Sequence, residues 1–304
     1  MRNLSVHLIC LVLFVQAGAS TLCAEGRVPS WLARPTALAD AGRCPEALQL
    51  LSKIRQTGAE PERRDILEAR CLQEGGRFEE ALKPIEAALK TKPSSADALF
   101  LRGVSLRRLN RPEEARRSFE EALWFGRLTV ASTGSVQREL GELYLLRDDP
   151  AKALAALTTA ITVDPGDVSA RTALVKLHLR SGNRAEALRR CREGLAIAPD
   201  SSPLKLALAT ALLSGVNRTW GQRDVREALR LSSGSFGSPE LEQEAALIHI
   251  RALIEAGELP QAEARVKQAL SAHPTDPALR ALQRQVGLEQ QALTGAAQRP
   301  SSPG

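Results

Sequence analysis

Residues Gly134 to Asp167 read GSVQRELGELYLLRDDPAKALAALTTAITVDPGD, and two helical periods are visible in that stretch. Leu140, Leu143 and Tyr144 mark the first, Arg147 to Asp149 break it, and Ala153, Leu157, Ala160 and Ile161 mark the second. Gly141, Ala153 and Ala160 are small where two helices would cross closely, while Leu140, Tyr144, Leu157 and Ile161 supply the volume between them. Asp149 before Pro150 is a helix start: an acidic cap accepts bonds from unpaired amides, and proline loses nothing at the first helical position. Pro165 forbids continuation. The stretch is one helix, a tight turn, a second helix and a stop in 34 residues.

The same spacing recurs along the chain, with copies beginning at Val28, Glu62, Ala96, Gly134, Val168, Ser202 and Gln243. The alanine of the second helix returns as Ala47, Ala81, Ala115, Ala153, Ala187 and Ala262. A small residue seven places later returns as Ala88, Ala122, Ala160, Gly194 and Ala269, and a closing proline as Pro93, Pro165, Pro199 and Pro274. Leu140, Gly141, Tyr144, Ala153, Leu157, Ala160 and Pro165 resemble the tetratricopeptide repeat, with Gln137 departing from its large fourth residue. The resemblance implies an all-α, right-handed superhelical α-solenoid of about seven antiparallel helix-hairpin repeats. It covers residue 28 to about 276.

The register has irregularities. Val130 to Thr133 are inserted before the fourth repeat, and about seven extra residues lie around Gly215 to Gln222 in the sixth; both read as loops that leave the stack undisturbed. In the sixth repeat Ala228 is the displaced second-helix alanine, and Ser238-Pro239 opens a longer helix ending near Ala256. Pro35 falls inside the first helix of the first repeat, so that helix is expected to start at Pro35 and be short, with Trp31 at a non-standard end. A capping helix over 277–293 puts Leu279, Leu282, Val286 and Leu293 on one face. Residues 294–304, TGAAQRPSSPG, have too little apolar content to order.

With 43% apolar but 3% aromatic residues, the composition fits close helix contacts through small side chains. Arg2, the apolar run Leu8 to Val15 and Gln16-Ala17-Gly18-Ala19 have the layout of a secretory signal peptide over 1–24, cleaved after Ala19 or Ala24. Leu22 before Cys23 departs from a lipoprotein signal, which needs a small residue there. The expected address is exported, periplasmic or secreted. Nothing past residue 16 is apolar enough to span a membrane.

Export bears on the cysteines, since oxidising compartments permit disulfides. Cys44 and Cys71, on adjacent helices at similar heights, are a candidate disulfide pair, whereas Cys191 sits at a core position. The net charge of +6 comes mostly from scattered arginine without the aromatic-basic module of a nucleic-acid binder. His178, His249 and His273 lie in separate registers, and no nucleophile with a base, metal-ligand spacing or phosphate-cradling glycine loop is present. His178 replaces the repeat's tyrosine and reads as a packed ring. The expected protein is not an enzyme and needs no cofactor or metal. Asn217-Arg218-Thr219 is a glycosylation sequon in the second insertion.

The resemblance also implies where partners bind. In such repeats the first helices line a concave groove, and their groove positions carry over to Arg63, Ile66 and Arg70, then Asp97, Phe100, Val104, Arg107 and Arg108. The fourth and fifth repeats add Arg138, Glu142, Leu145, Leu146, Thr172, Lys176, Leu179 and Arg180. The sixth and seventh add Leu206, Thr210, Leu213, Leu247, Arg251, Ile254 and Glu255. Cationic and aliphatic residues alternating on one face suit a peptide that presents apolar side chains beside carboxylates. The clamp that cytosolic co-chaperones use for chaperone tails is absent: Ile66, Arg70, Leu101, Ser135 and Glu139 stand where it needs Lys, Asn, Asn, Lys and Arg. The expected function is a scaffold or assembly factor of the cell envelope. The alternatives are an anionic glycan or lipid head group bound by groove arginines, or a cytosolic adaptor if the N-terminus is retained.

Overall fold

The structure, a computed structural model, describes residues 29–54, 61–215 and 221–297, with side chains to residue 293. The expected signal peptide, Cys10, Cys23, the sequon and residues 298–304 lie outside the described residues. Within them the chain forms helices and no strand, divided into two compact units at Val130 and Ala131.

The first unit carries α1 (Ser30–Asp40), α2 (Cys44–Ile54), α3 (Pro61–Glu74), α4 (Phe78–Thr91), α5 (Ala96–Arg108) and α6 (Pro112–Phe125). These pair in order as three hairpins, and each hairpin packs against the next through α2 on α3 and α4 on α5. The second unit carries α7 (Thr133–Leu146), α8 (Pro150–Val163), α9 (Val168–Arg180), α10 (Arg184–Ile197), α11 (Ser202–Leu213), α12 (Gln222–Ser232), α13 (Pro239–Ala256), α14 (Leu259–Ala272) and α15 (Pro277–Ala297). Four hairpins form there, and α15 covers the last one by packing on α13 and α14.

Paired helices approach closely because large and small residues trade places across the crossing. A Cβ on Gly141 would lie 2.6 Å from Leu157 Cγ, and one on Gly103 would lie 2.6 Å from Phe119 Cε1. Elsewhere the same crossing is made by Ala69 against Ile85 and, with the sizes reversed, by Val175 against Cys191, all at 0% exposure. Total volume is conserved while its owner changes, which close-packed interiors tolerate. The recurrent alanines Ala47, Ala81, Ala115, Ala153, Ala187 and Ala262 are likewise at 0%. Burying a leucine such as Leu157 completely contributes about 1.5–3 kcal/mol.

Each hairpin has a residue in the left-handed region after its first helix: Gly42, Gly76, Asn110, Asp148, Gly182, Gly215 and Gly257, with φ from 57° to 79°. They recur at one place in the repeat, just past the first helix, where a left-handed residue ends a helix and lets its last carbonyls be satisfied.

Two local expectations are corrected. α1 begins at Ser30 rather than Pro35, and Pro35 is buried inside it. Its missing amide forfeits one helical bond, a cost of up to about 3 kcal/mol that burial of Leu32, Pro35 and Ala39 offsets. Residues 294–297, assigned to a tail by composition, continue α15 as helical backbone. Extending a helix already anchored by Leu279, Leu282 and Val286 adds one bond per residue fixed, so low apolar content does not stop it.

The first insertion is also more than a projecting loop. Buried Asp97 accepts hydrogen bonds from the Thr129 amide at 2.6 Å, the Val130 amide at 3.0 Å and the Thr129 hydroxyl, fastening the segment after α6 back onto α5.

Candidate partner-binding face

The first helices of the hairpins carry the residues expected in a groove, and the structure sorts them. In the first unit Arg63, Arg70, Phe100, Val104 and Arg107 are half-buried and Arg108 is exposed. Arg70 is paired with Asp40 and lies 3.6 Å from Glu74. The Phe100 ring tilts against Phe119 with centroids 5.8 Å apart, and the Arg108 guanidinium stands 5.4 Å over the Phe78 ring.

In the second unit Arg138 reaches Glu139 at 3.1 Å and Asp167 at 3.8 Å. Glu142 and Thr172 are half-buried, and the Thr172 hydroxyl donates to the Ser169 carbonyl at 2.9 Å. Leu145, Leu179 and Leu247 are half-buried, while Leu146 is 75% exposed. Arg180 bridges neighbouring hairpins, donating to Asp148 at 2.7 Å and to the Leu145 carbonyl at 3.3 Å. Lys176 and Arg251 are exposed, and no ion pair holds either among the described residues. A cleft of about 190 Å³ opens between Leu145, Asp148, Asp149, Leu177 and Arg180.

Other expected groove residues belong to the interior. Ile66 is 9% exposed and packs with Ala98 and Leu101. Asp97 serves the loop after α6. Leu206 at 0% and Leu213 at 5% lie on α11, which is apolar all round and packed by α9, α10, α12 and α13. A helix without a polar face is buried on every side, so the run LALATALL carried the signal. Ile254, at 1%, is enclosed with Leu279 and Val286 of α15. The capping helix packs on the face against which the first helix of a repeat would otherwise stack.

Cys44 and Cys71 are free buried thiols. Cys191 is a core residue at 0% exposure, its thiol pushed up to about 12 by burial. Burial pushes the His178 and His249 pKa values down. The Ser232 hydroxyl donates to the Ala228 carbonyl at 2.8 Å and lies 3.1 Å from His249 Nδ1; at 2% exposure it is a structural serine. Among the described residues no cluster of His, Cys, Asp and Glu is arranged to hold a metal ion, and no helix is long and apolar enough to cross a membrane.

Family models described as tetratricopeptide repeat match residues 66–129 and 144–212. The chain is a tetratricopeptide-repeat protein. Its fold is the all-α solenoid of that family, whose members are typically non-enzymatic scaffolds that bind protein or peptide partners. Solved structures share the architecture. PilF of Pseudomonas aeruginosa is 19% identical over 74% of this tetratricopeptide-repeat chain and 98% of its own, with a TM-score of 0.60. PilW, a type IV pilus biogenesis factor, is 18% identical over 74% and 99% at 0.60. A tetratricopeptide repeat protein of Parabacteroides merdae is 17% identical over 84% and 97% at 0.60. At these identities the likeness is one of fold. No curated protein matches the sequence.

Proposed function

We propose that this tetratricopeptide-repeat protein is an exported scaffold or assembly factor of the cell envelope that holds peptide segments on the first helices of its second unit. The observation that carries the reading is the ridge of Leu145, Leu146 and Leu179 beside exposed Lys176 and Arg180, with Arg251 exposed on α13. Half-buried and exposed leucines on an open face leave apolar surface in water that a partner covers favourably, and the flanking cations favour carboxylates on that partner. The occupant is therefore an amphipathic or extended peptide with alternating apolar and acidic side chains. Fold likeness to PilF and the pilus biogenesis factor PilW, together with the signal-like layout of Arg2 and Leu8 to Val15, supports the envelope setting.

Two experiments test the reading. A photo-crosslinking residue placed at Lys176 should capture a protein partner in envelope extracts, and one placed at Arg117 on α6 should not; equal capture from both would remove the site. Acidic amphipathic peptides should bind the purified chain and lose at least about tenfold in affinity in Lys176→Glu/Arg251→Glu, an effect that salt reduces. Intact mass of the protein from the exported fraction, starting at Ser20 or Glu25, tests the address; recovery with Met1 retained only in the cytoplasm overturns it.

A further inference from the structure

The first hairpin meets α3 through a small cluster that no groove position uses. Cys44 opens α2 at 6% exposure, and Cys71 lies within α3 at 1%. Both sit in one apolar cluster with Leu32, Ala47, Leu51 and Leu67. Cys44 Sγ donates to Glu74 Oε2 at 2.9 Å. Glu74 follows Cys71 by three residues on the same helix, and such neighbours share a face with Cβ atoms about 5–6 Å apart. The Cys44 thiol therefore reaches the turn that presents Cys71, and each thiol lies close enough to act on the other's ionisation. Burial raises both pKa values, so neither is a free-standing reactive thiolate. Cys191 belongs to another cluster, in the second unit.

We propose that Cys44 and Cys71 form a redox modification site: by exchange with a low-molecular-weight disulfide they become an intramolecular disulfide that staples the first hairpin to the second. Local opening of α1 and α2 admits the oxidant, since among the described residues this hairpin packs on α3 alone, and a segment with fewer buried contacts opens more readily. Cys44 gives its proton to Glu74, and its thiolate attacks one sulfur of the small disulfide, releasing one thiolate and forming a mixed disulfide. Cys71 thiolate then attacks the Cys44 sulfur, closing the Cys44–Cys71 bond and expelling the second small thiolate. Two electrons pass from the two cysteines to the small disulfide, and the two cysteine protons end on the two small thiols released. The loop closed runs from residue 44 to 71, so the bond restrains the connection between α2 and α3. It also frees Glu74 from Cys44, leaving its carboxylate to Arg70 at the edge of the first unit's face.

The test equilibrates the full chain across buffers of reduced and oxidised glutathione, traps free thiols under denaturing conditions and reads the linked peptides by mass. A Cys44–Cys71 link should form in the unaltered chain and in Cys191→Ser, and vanish in Cys44→Ser and Cys71→Ser. Amide exchange over residues 30–54 should slow by at least about tenfold in the oxidised form. The proposal is overturned if both thiols stay trappable in the most oxidising buffer. It is equally overturned if either thiol pairs instead with Cys10, Cys23, Cys191 or a second molecule, or if the link forms without slowing exchange over 30–54. Because the link is read first in the unaltered chain, a folding defect in a serine variant does not decide the outcome.

Discussion

The two units turn their hairpins on the same backbone conformation but cap the following helix with opposite chemistry. In the first unit Arg43, Arg77 and Arg111 stand directly after the left-handed residue and fork onto Glu46, Glu80 and Glu114, at 2.6 Å for Arg43 and 2.7 Å for Arg111. Arg77 and Arg111 accept no amide bond. In the second unit the same place holds Asp149 and Asn183, whose side-chain oxygens accept from the Lys152 and Glu186 amides at 3.2 Å each, while Glu258 after Gly257 makes no such bond. The φ values at Gly76, Asn110, Asp148 and Gly182 nevertheless stay within 57–72°. The backbone geometry of the turn is thus the shared requirement, and either a carboxylate near the helix start or a direct amide acceptor serves it.

Overfilling the helix crossings gives the largest expected difference. Gly103→Ala would push a methyl into three ring carbons of Phe119 at 2.6–2.8 Å, whereas Gly141→Ala meets Leu157, which can change rotamer. Gly103→Ala should therefore lower the stability of the first unit by about 1–3 kcal/mol and Gly141→Ala should cost the second unit less. Ala153→Leu, which leaves no such escape at a fully buried site, should cost the second unit about 1–3 kcal/mol. Regional hydrogen exchange reads both units in one sample; equal losses for Gly103→Ala and Gly141→Ala would remove the distinction.

Acid should next separate the units. Folded His178, facing Glu186, Arg189 and Arg190, and folded His249, near Arg265 and Glu258, both hold pKa values below 6.5, chiefly through burial. Their neutral forms stabilise the fold fully above that value, and stability falls with pH below it as the unfolded chain takes protons that the folded rings refuse. No histidine lies among the described residues of the first unit. Protection against exchange in α9–α13, relative to the intrinsic amide rate at each pH, should therefore fall between pH 6.5 and 5 while that of α3–α6 holds, and His178→Tyr should narrow the gap. Below about 4.5 the forks join in, because Arg43, Arg77 and Arg111 hold the carboxyls of Glu46, Glu80 and Glu114 below the usual range. Glu186, held to about 2 by Arg189 with Arg190 assisting, loses its share of stability progressively as the pH falls from 4.5 toward 2.

Caps give the smallest contrast and the sharpest one in salt. Asn183→Ala should cost α10 about 1 kcal/mol at any ionic strength. Arg77→Ala and Arg111→Ala should cost less, and their effect should fade as salt screens these exposed pairs. Melting curves at low and high salt distinguish the two; a salt-independent loss in Arg111→Ala would mean that the fork acts through contacts rather than charge.

The hairpins were legible in the residues because each crossing needs a small side chain at a fixed spacing, and Ala81, Ala115, Ala153 and Ala187 recur at that spacing. The turn was legible as a break in the helical period, but its left-handed backbone at Gly76, Asn110, Asp148 and Gly182 was not, since glycine, asparagine and aspartate stand there as three different letters. The binding face was legible only in part. Position in the repeat assigned Phe100, Leu145, Lys176 and Leu179 to a partner face as readily as it assigned Ile66, Leu206, Leu213 and Ile254, which are buried.

By itself the sequence determined helix, turn, helix and stop, since small-residue spacing, proline and capping chemistry act within one repeat. The tertiary structure decided which groove positions stay open. Burial at Leu206 depends on four helices around α11, at Ile254 on α15 lying over α13, and at Asp97 on a loop more than thirty residues away. Each of those neighbours comes from a part of the chain that the local pattern does not contain, and only folding brings it within van der Waals or hydrogen-bonding reach.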